Sequence, residues 1–163
     1  MRIENIHERA LPAGTATAVG GLIEGLAGAD DRLWPHDRWP AMRLDAGLRR
    51  GSRGGHGPIR YEVVEHQPGC LVRFRFLSPT TLVGKHAYEL NTNGTVPVLR
   101  LVLRARAEGR MRWQWPLLVK PLHDALIEDS LDRAVATVSA TTYKPERWSW
   151  RVCGLRWLSR TLL

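Results

Sequence analysis

The chain has 163 residues, a net charge of +8 and a hydrophobic content of 44%. That length suits one domain with a sizeable core of its own. No apolar run approaches the roughly 18 residues that a membrane-spanning helix requires, and the apolar stretch 13–29 does not fit a secretory leader, because Glu4 and Glu8 precede it and it contains Glu24 and several glycines.

Residues 3–10 alternate and read as a first strand, ended by Pro12 and Gly14. Thr15 or Thr17 is placed to cap a helix running to about Leu26, with Val19, Leu22, Ile23 and Leu26 at helical spacing. Gly20, Gly21 and Gly25 weaken that helix, so it has to rely on packing. Asp30 and Asp31 open a second short helix or turn, DRLWPHDRWPAM, kept short by Pro35 and Pro40. Residues 43–58 read as a strand fragment and a glycine-rich turn.

Regular alternation resumes at Pro58. Ile59, Tyr61 and Val63 share one face, with Arg60 and Glu62 opposite. After the turn Gln67-Pro68-Gly69, the residues Cys70, Val72, Phe74 and Phe76 are expected inward and Arg73 and Arg75 outward. Residues 83–91 set His86, Tyr88 and Leu90 against Lys85 and Glu89, and Asn91-Thr92-Asn93-Gly94 marks a hairpin. The stretch 96–107 is the clearest: Leu99, Leu101, Leu103, Ala105 and Ala107 alternate with Arg100, Arg104 and Arg106, and Val102 breaks the polar side. Four such strands in succession make an antiparallel meander.

The period then changes. Pro116 and Pro121 place the start of a long helix near Leu122, running to about 140. Asp124, Glu128 and Asp132 are expected to form an acidic stripe facing solvent, with Leu126, Ile127, Ser130, Leu131, Ala134 and Val138 on the other side. Pro145 closes a domain spanning 1–145. A basic, tryptophan-rich tail, 146–163, follows. The expected fold class is α+β: a curved antiparallel sheet wrapped around a long C-terminal helix, with two short helices after the first strand.

That order, together with the segments DRLWPHDRWP, RGGHGPIRYEV and PLHDALIEDSLDRA, resembles the helix-grip superfamily of START domains, pollen-allergen-like proteins and polyketide cyclases (SRPBCC), and within it small bacterial members. The resemblance spans about residues 3–142. It implies a cavity between sheet and helix. It does not choose among carriers, cyclases and other roles, since one fold hosts many functions.

In such a cavity the informative residues are the inward polar ones, because apolar pockets orient a ligand with few polar groups. His86 and Tyr88 share one strand, His56 sits in the glycine-rich turn and His123 opens the long helix. His86, Tyr88 and His123 are the candidate acid–base groups, since a histidine beside a tyrosine is able to polarise a carbonyl or shuttle a proton. The expected ligand contacts are Trp34, Trp39, His56, Tyr61, Phe74, Phe76, His86, Tyr88, Leu101, Leu103, His123 and Ile127, with Ile59 beside them. No metal and no cofactor is expected: His56, His86, His123 and Asp124 show no metal-ligand spacing, and RGSRGGHG lacks the phosphate-loop pattern. Nucleophile motifs are also missing.

Three functions fit: binding of a small hydrophobic or aromatic, lipid- or polyketide-like ligand, as carrier or sensor; a cofactor-independent cyclase or dehydratase; and a membrane-surface or partner-binding protein acting through its tail. Nucleic acid is not an expected partner, because the outward arginines lack interleaved aromatics and arginine richness also follows from coding bias. In the tail, Trp148, Trp150, Leu155, Trp157, Leu158, Leu162 and Leu163 mix with Arg147, Arg151, Arg156 and Arg160, a composition suited to a membrane interface. The favoured expectation is that the tail folds back over its own domain or over a second copy in a homodimer. Cys70 and Cys153 lack metal or disulfide spacing, so reduced thiols and a cytoplasmic location are expected.

Overall fold

A computed structural model describes residues 1–144 and 147–161. Seven strands form one antiparallel sheet: β1 (Arg2–Ala10), β2 (Arg43–Leu44), β3 (Arg53–His56), β4 (Ile59–Gln67), β5 (Leu71–Ser78), β6 (Leu82–Asn91) and β7 (Val98–Ala107). Their spatial order is β1-β7-β6-β5-β4-β3-β2, so the expected meander β4 to β7 is flanked by β1 on one side and the glycine-rich hairpin on the other. The alternation of β7 is realised as read: Leu99, Leu101 and Leu103 are at most 2% exposed, while Arg104 and Arg106 face solvent. Cys70 departs from expectation. It lies in the turn before β5 and is exposed, because Gln67-Pro68-Gly69-Cys70 is spent on reversing the chain.

The convex arginines are charge-paired. Arg75 meets Glu62 at 2.8 Å, Arg100 meets Glu8 at 2.7 Å and Arg104 meets Glu4 at 2.9 Å, while Arg73 joins Glu65 and Glu89. Cross-strand neighbours lie close enough for such pairs, and they turn an apparent cationic face into a lattice of mixed sign.

After β1 the chain forms α1 (Ala16–Glu24), which buries Val19, Leu22 and Ile23. Gly20 lets this helix approach the β4–β5 turn closely, for a Cβ there would fall 2.8 Å from the Gly69 carbonyl oxygen. The expected second short helix takes its turn alternative. Asp31 replaces helical hydrogen bonds by accepting from the backbone N–H of Leu33 and Trp34 on one carboxylate oxygen and of Ala27 on the other.

The long helix begins earlier than the prolines suggest. The chain runs through α2 (Met111–Gln114), a π-helical turn (Trp115–Val119) and α3 (Lys120–Val138) without a break. Pro121 has no N–H to offer the carbonyl of Leu117, one α-turn back. Arg151 fills the gap, donating to the Leu117 carbonyl at 2.9 Å. A side chain from the distant tail thus makes an interior proline tolerable, which local periodicity does not reveal.

The acidic stripe does not face solvent. Asp124 accepts from Asn5 Nδ2 at 3.0 Å and lies 3.2 Å from His7 Nε2; Glu128 meets His7 and Arg9; Asp132 accepts from Arg9 at 3.0 Å. β1 carries Ile3, Asn5, His7 and Arg9 on its inward face, so along β1 the seam between helix and sheet is a polar ladder. The apolar core joins α1, β4–β7 and α3 through residues such as Ile23, Phe74, Leu99 and Leu131. α4 (Trp150–Thr161) follows the tail's entry and packs on α3. Pro145, Leu162 and Leu163 lie outside the described residues. Among the described residues no helix is long and apolar enough to cross a membrane.

Candidate functional site

Sheet and helix do not close on one another completely. Between them lies a cavity of about 480 Å³. The sheet contributes Ile59, Phe76, His86, Leu101 and Leu103; the long helix contributes Trp115, Leu122, His123, Leu126 and Ile127; the segment after α1 supplies Trp34 and Trp39; the end of β3 supplies His56; and α4 supplies Arg156. Nine of the expected contacts therefore reach one wall: Trp34, Trp39, His56, Phe76, His86, Leu101, Leu103, His123 and Ile127.

Tyr61, Phe74 and Tyr88 stand behind that wall. Tyr61 and Phe74 pack with ring centroids 5.0 Å apart, and both are wholly buried. Tyr88 reaches α3 but not the cavity: its hydroxyl lies 2.8 Å from Ser130 Oγ, which in turn donates to the Leu33 carbonyl at 3.0 Å. Ser130's proton is committed to Leu33, so Tyr88 is the donor. The chain of two hydrogen bonds ties β6, α3 and the loop after α1 together, a positioning task rather than a chemical one.

The three cavity histidines are held neutral by burial, the largest influence on each. His56 is pushed down to about 3, with the nearby Arg60 guanidinium acting in the same direction. Its Nδ1 lies 3.2 Å from the Tyr61 hydroxyl and its ring lies 4.7 Å from that of Trp34. His86 falls well below the ordinary imidazole value. Its ring is packed by Tyr61, Phe74 and Phe76 at 5.1, 5.0 and 4.9 Å. Among the described residues it has no hydrogen-bond partner. His123 packs against Trp115 at 5.8 Å, and its buried Nδ1 stays 3.9 Å from Asp124, too far for a hydrogen bond.

His7, His123 and Asp124 are the group of described residues whose ligand atoms come within 4.8 Å of one another, and so the one set able to converge on a metal ion. Each acid there is already engaged: Asp124 by Asn5, His7 and Lys120, Glu128 by His7 and Arg9. The hydrogen bond to Asp124 raises the pKa of His7, and Glu128 adds to it. His7 sits between two carboxylates, while the buried Nδ1 of His123 stays without a hydrogen-bond partner among the described residues.

One buried acid escaped the sequence reading. Asp129, 3% exposed, accepts from Trp39 Nε1 at 2.7 Å, Trp148 Nε1 at 3.1 Å and Arg38 Nη1 at 2.5 Å. Arg156 stacks over Trp39 at 4.2 Å and over Trp148 at 4.9 Å. The tail thereby folds back on its own domain and builds one side of the cavity mouth. A signal was present: Asp129 lies three residues after Leu126, on the apolar side of the helix, where a carboxylate needs a buried partner.

No protein-family model and no curated protein matches the sequence. Solved structures do match in shape. CalU16 from Micromonospora echinospora superposes with a TM-score of 0.56 at 13% identity, covering 97% of this chain and 83% of that one. The chain has the helix-grip fold. Among other helix-grip proteins, a Thalictrum norcoclaurine synthase variant in complex with a transition-state analogue superposes with a TM-score of 0.59 at 11% identity, over 86% of this chain and 96% of that one. The di-domain ARO/CYC StfQ of steffimycin biosynthesis gives 0.60 at 12% identity, over 85% of this chain and 51% of that longer one. At such identities the likeness is one of fold. It agrees with the helix-grip fold expected from the sequence and with a cavity between sheet and helix.

Proposed function

We propose that this helix-grip protein binds a small, largely apolar or aromatic ligand in the cavity, as a carrier or sensor. The observation that carries the reading is the cavity itself: about 480 Å³, walled mainly by aliphatic and indole side chains, with neutral imidazoles and Arg156 as its polar points. That is the composition of a small-molecule site, in which apolar surface supplies affinity and a few polar groups fix orientation. Neutral histidines suit an uncharged hydroxyl or carbonyl within the cavity, and Arg156 on its wall is the one cation among the described lining residues beside which a carboxylate could sit. The test is displacement of an apolar fluorescent dye by fatty acids and by aromatic polyketides. Saturable dye binding that either class displaces supports the reading, and a protein that binds neither dye nor ligands refutes it.

A second reading has its own support. His86 is a neutral base on the cavity wall with its hydrogen-bonding capacity unspent among the described residues, which suits acid–base assistance to a ring closure or dehydration. His86→Asn separates the two: a carrier loses some affinity, whereas a cyclase loses turnover of an aromatic polyketide precursor while dye binding persists.

A further inference from the structure

α4 has two faces. Val152 and Arg156 turn inward and are 6% and 8% exposed, whereas Trp150 is 87% exposed. Trp157 and Leu158, seven and eight residues after Trp150, continue the outer face at 66% and 47% exposed. The long helix adds to it, for Trp113 and Leu117, one turn apart, are each 53% exposed. The two elements are joined where Arg151 of α4 donates to the Leu117 carbonyl, and both reach the cavity mouth, Leu118 from one and Arg156 from the other. Five large apolar side chains turned outward on two adjoining elements, three of them indoles, are unusual on a free monomer.

Its charge is one-sided. Residues 109–120 and 147–161 contain no Asp or Glu, and Arg110, Arg112, Arg147 and Arg151 are exposed within them. On the convex sheet, by contrast, arginines are matched by neighbouring acids. We infer that this face docks on a bilayer surface bearing anionic headgroups, with the indoles at headgroup depth and the arginines on the lipid phosphates. Self-association is disfavoured by the same charge: a two-fold interface sets a patch against its own copy, so arginine would confront arginine. Docking in this way places the cavity mouth, between Leu118 and Arg156, against the lipid. The inference stands on exposure and charge, independently of what the cavity holds.

The experiment is co-sedimentation of the full chain with phosphatidylglycerol-containing vesicles and with pure phosphatidylcholine vesicles, alongside the variants Trp113→Ala/Leu117→Ala and Arg110→Glu/Arg112→Glu. These positions are exposed and outside the cavity wall, so unfolding and dye binding should match the parent chain and serve as the control for folding. Expected is binding to anionic vesicles that weakens with salt and falls about tenfold or more in either variant, the equivalent of 1.4 kcal/mol or more. Vesicle binding that ignores both variants overturns the inference, as does no vesicle binding at all. A concentration-dependent dimer that the apolar variant abolishes, without vesicle binding, assigns the face to a second copy instead and overturns it equally.

Discussion

Trp39 and Trp148, 109 residues apart in sequence, lie with ring centroids 5.2 Å apart and donate their indole N–H groups to the same oxygen of Asp129. The other oxygen of that carboxylate accepts from Arg38, whose guanidinium lies 4.1 Å over the Trp148 ring. One buried charge on the long helix therefore fixes the loop after α1 and the start of the tail, the two segments that frame the cavity mouth. Aromatic stacking and cation–π contacts add to the clamp, but the acid is what converges the donors.

Asp129→Ala should accordingly cost about 3–5 kcal/mol, the penalty for stranding the partner of a buried ion pair. Trp148→Phe keeps the ring stack and loses one hydrogen bond, for about 1 kcal/mol. Urea unfolding measures both. A loss below about 1 kcal/mol for Asp129→Ala would show that the carboxylate is not the clamp.

The β7 face makes a graded prediction. Leu99 is wholly buried in the core, whereas Leu101 and Leu103 border the cavity. Truncation to alanine should cost about 4 kcal/mol at Leu99 and about 2 kcal/mol at Leu101, since a side chain with open space on one side has fewer packing contacts to lose. Arg104→Ala, at an exposed pair with Glu4, should change stability by less than about 1 kcal/mol. Equal losses at Leu99 and Leu101 would contradict an open cavity.

The sheet was legible because period-two alternation is a local signal, and β4 to β7 state it with little interruption. The long helix was legible over its apolar stretch 126–138 and not at its start, where an interior Pro121 depends on Arg151 from the tail. Facing was read correctly wherever the partner is apolar. It failed for Asp124, Glu128 and Asp132 because an acidic stripe looks identical whether water or the Asn5–His7–Arg9 face of β1 lies opposite. At the cavity the histidines could be named from strand parity and the helix start. Tyr88 shares its parity with His86, yet only the fold reveals that its hydroxyl is committed to Ser130. Asp129 and Arg156 converge on the same two indoles, Trp39 and Trp148, a juxtaposition that periodicity carries no information about.

The buried histidines give the stability a direction in pH. For His56, with a folded pKa of about 3 against an ordinary 6.5, the unfolded chain takes up a proton that the folded chain refuses. Its contribution is intact above pH 6.5 and declines as pH falls, by up to about 1.4 kcal/mol per pH unit, until the folded group itself titrates. His86 acts in the same sense. His7, raised by Asp124 and Glu128, acts oppositely, its stabilisation being complete below pH 6.5 and lost as pH rises through its folded value. His56→Asn should therefore flatten the fall in unfolding free energy between about pH 6.5 and pH 4 relative to the parent chain. Parallel curves would mean that His56 is protonated in the fold.

Filling the cavity tests where binding occurs. Leu122 lines the cavity from the first turns of α3 and is only half-buried, so a larger side chain there has open space to enter instead of packed core. Leu122→Trp should keep its unfolding free energy within about 1.5 kcal/mol of the parent chain, because the added volume meets little resistance. The same indole occupies room that a ligand needs, so affinity for an apolar dye should fall about tenfold or more. Val83→Trp, on the exposed convex side of β6, adds the same ring without touching the cavity and should leave dye affinity unchanged. Equal affinities for the two variants would place the dye on the outer surface, where Trp150 and Trp113 offer an alternative apolar seat.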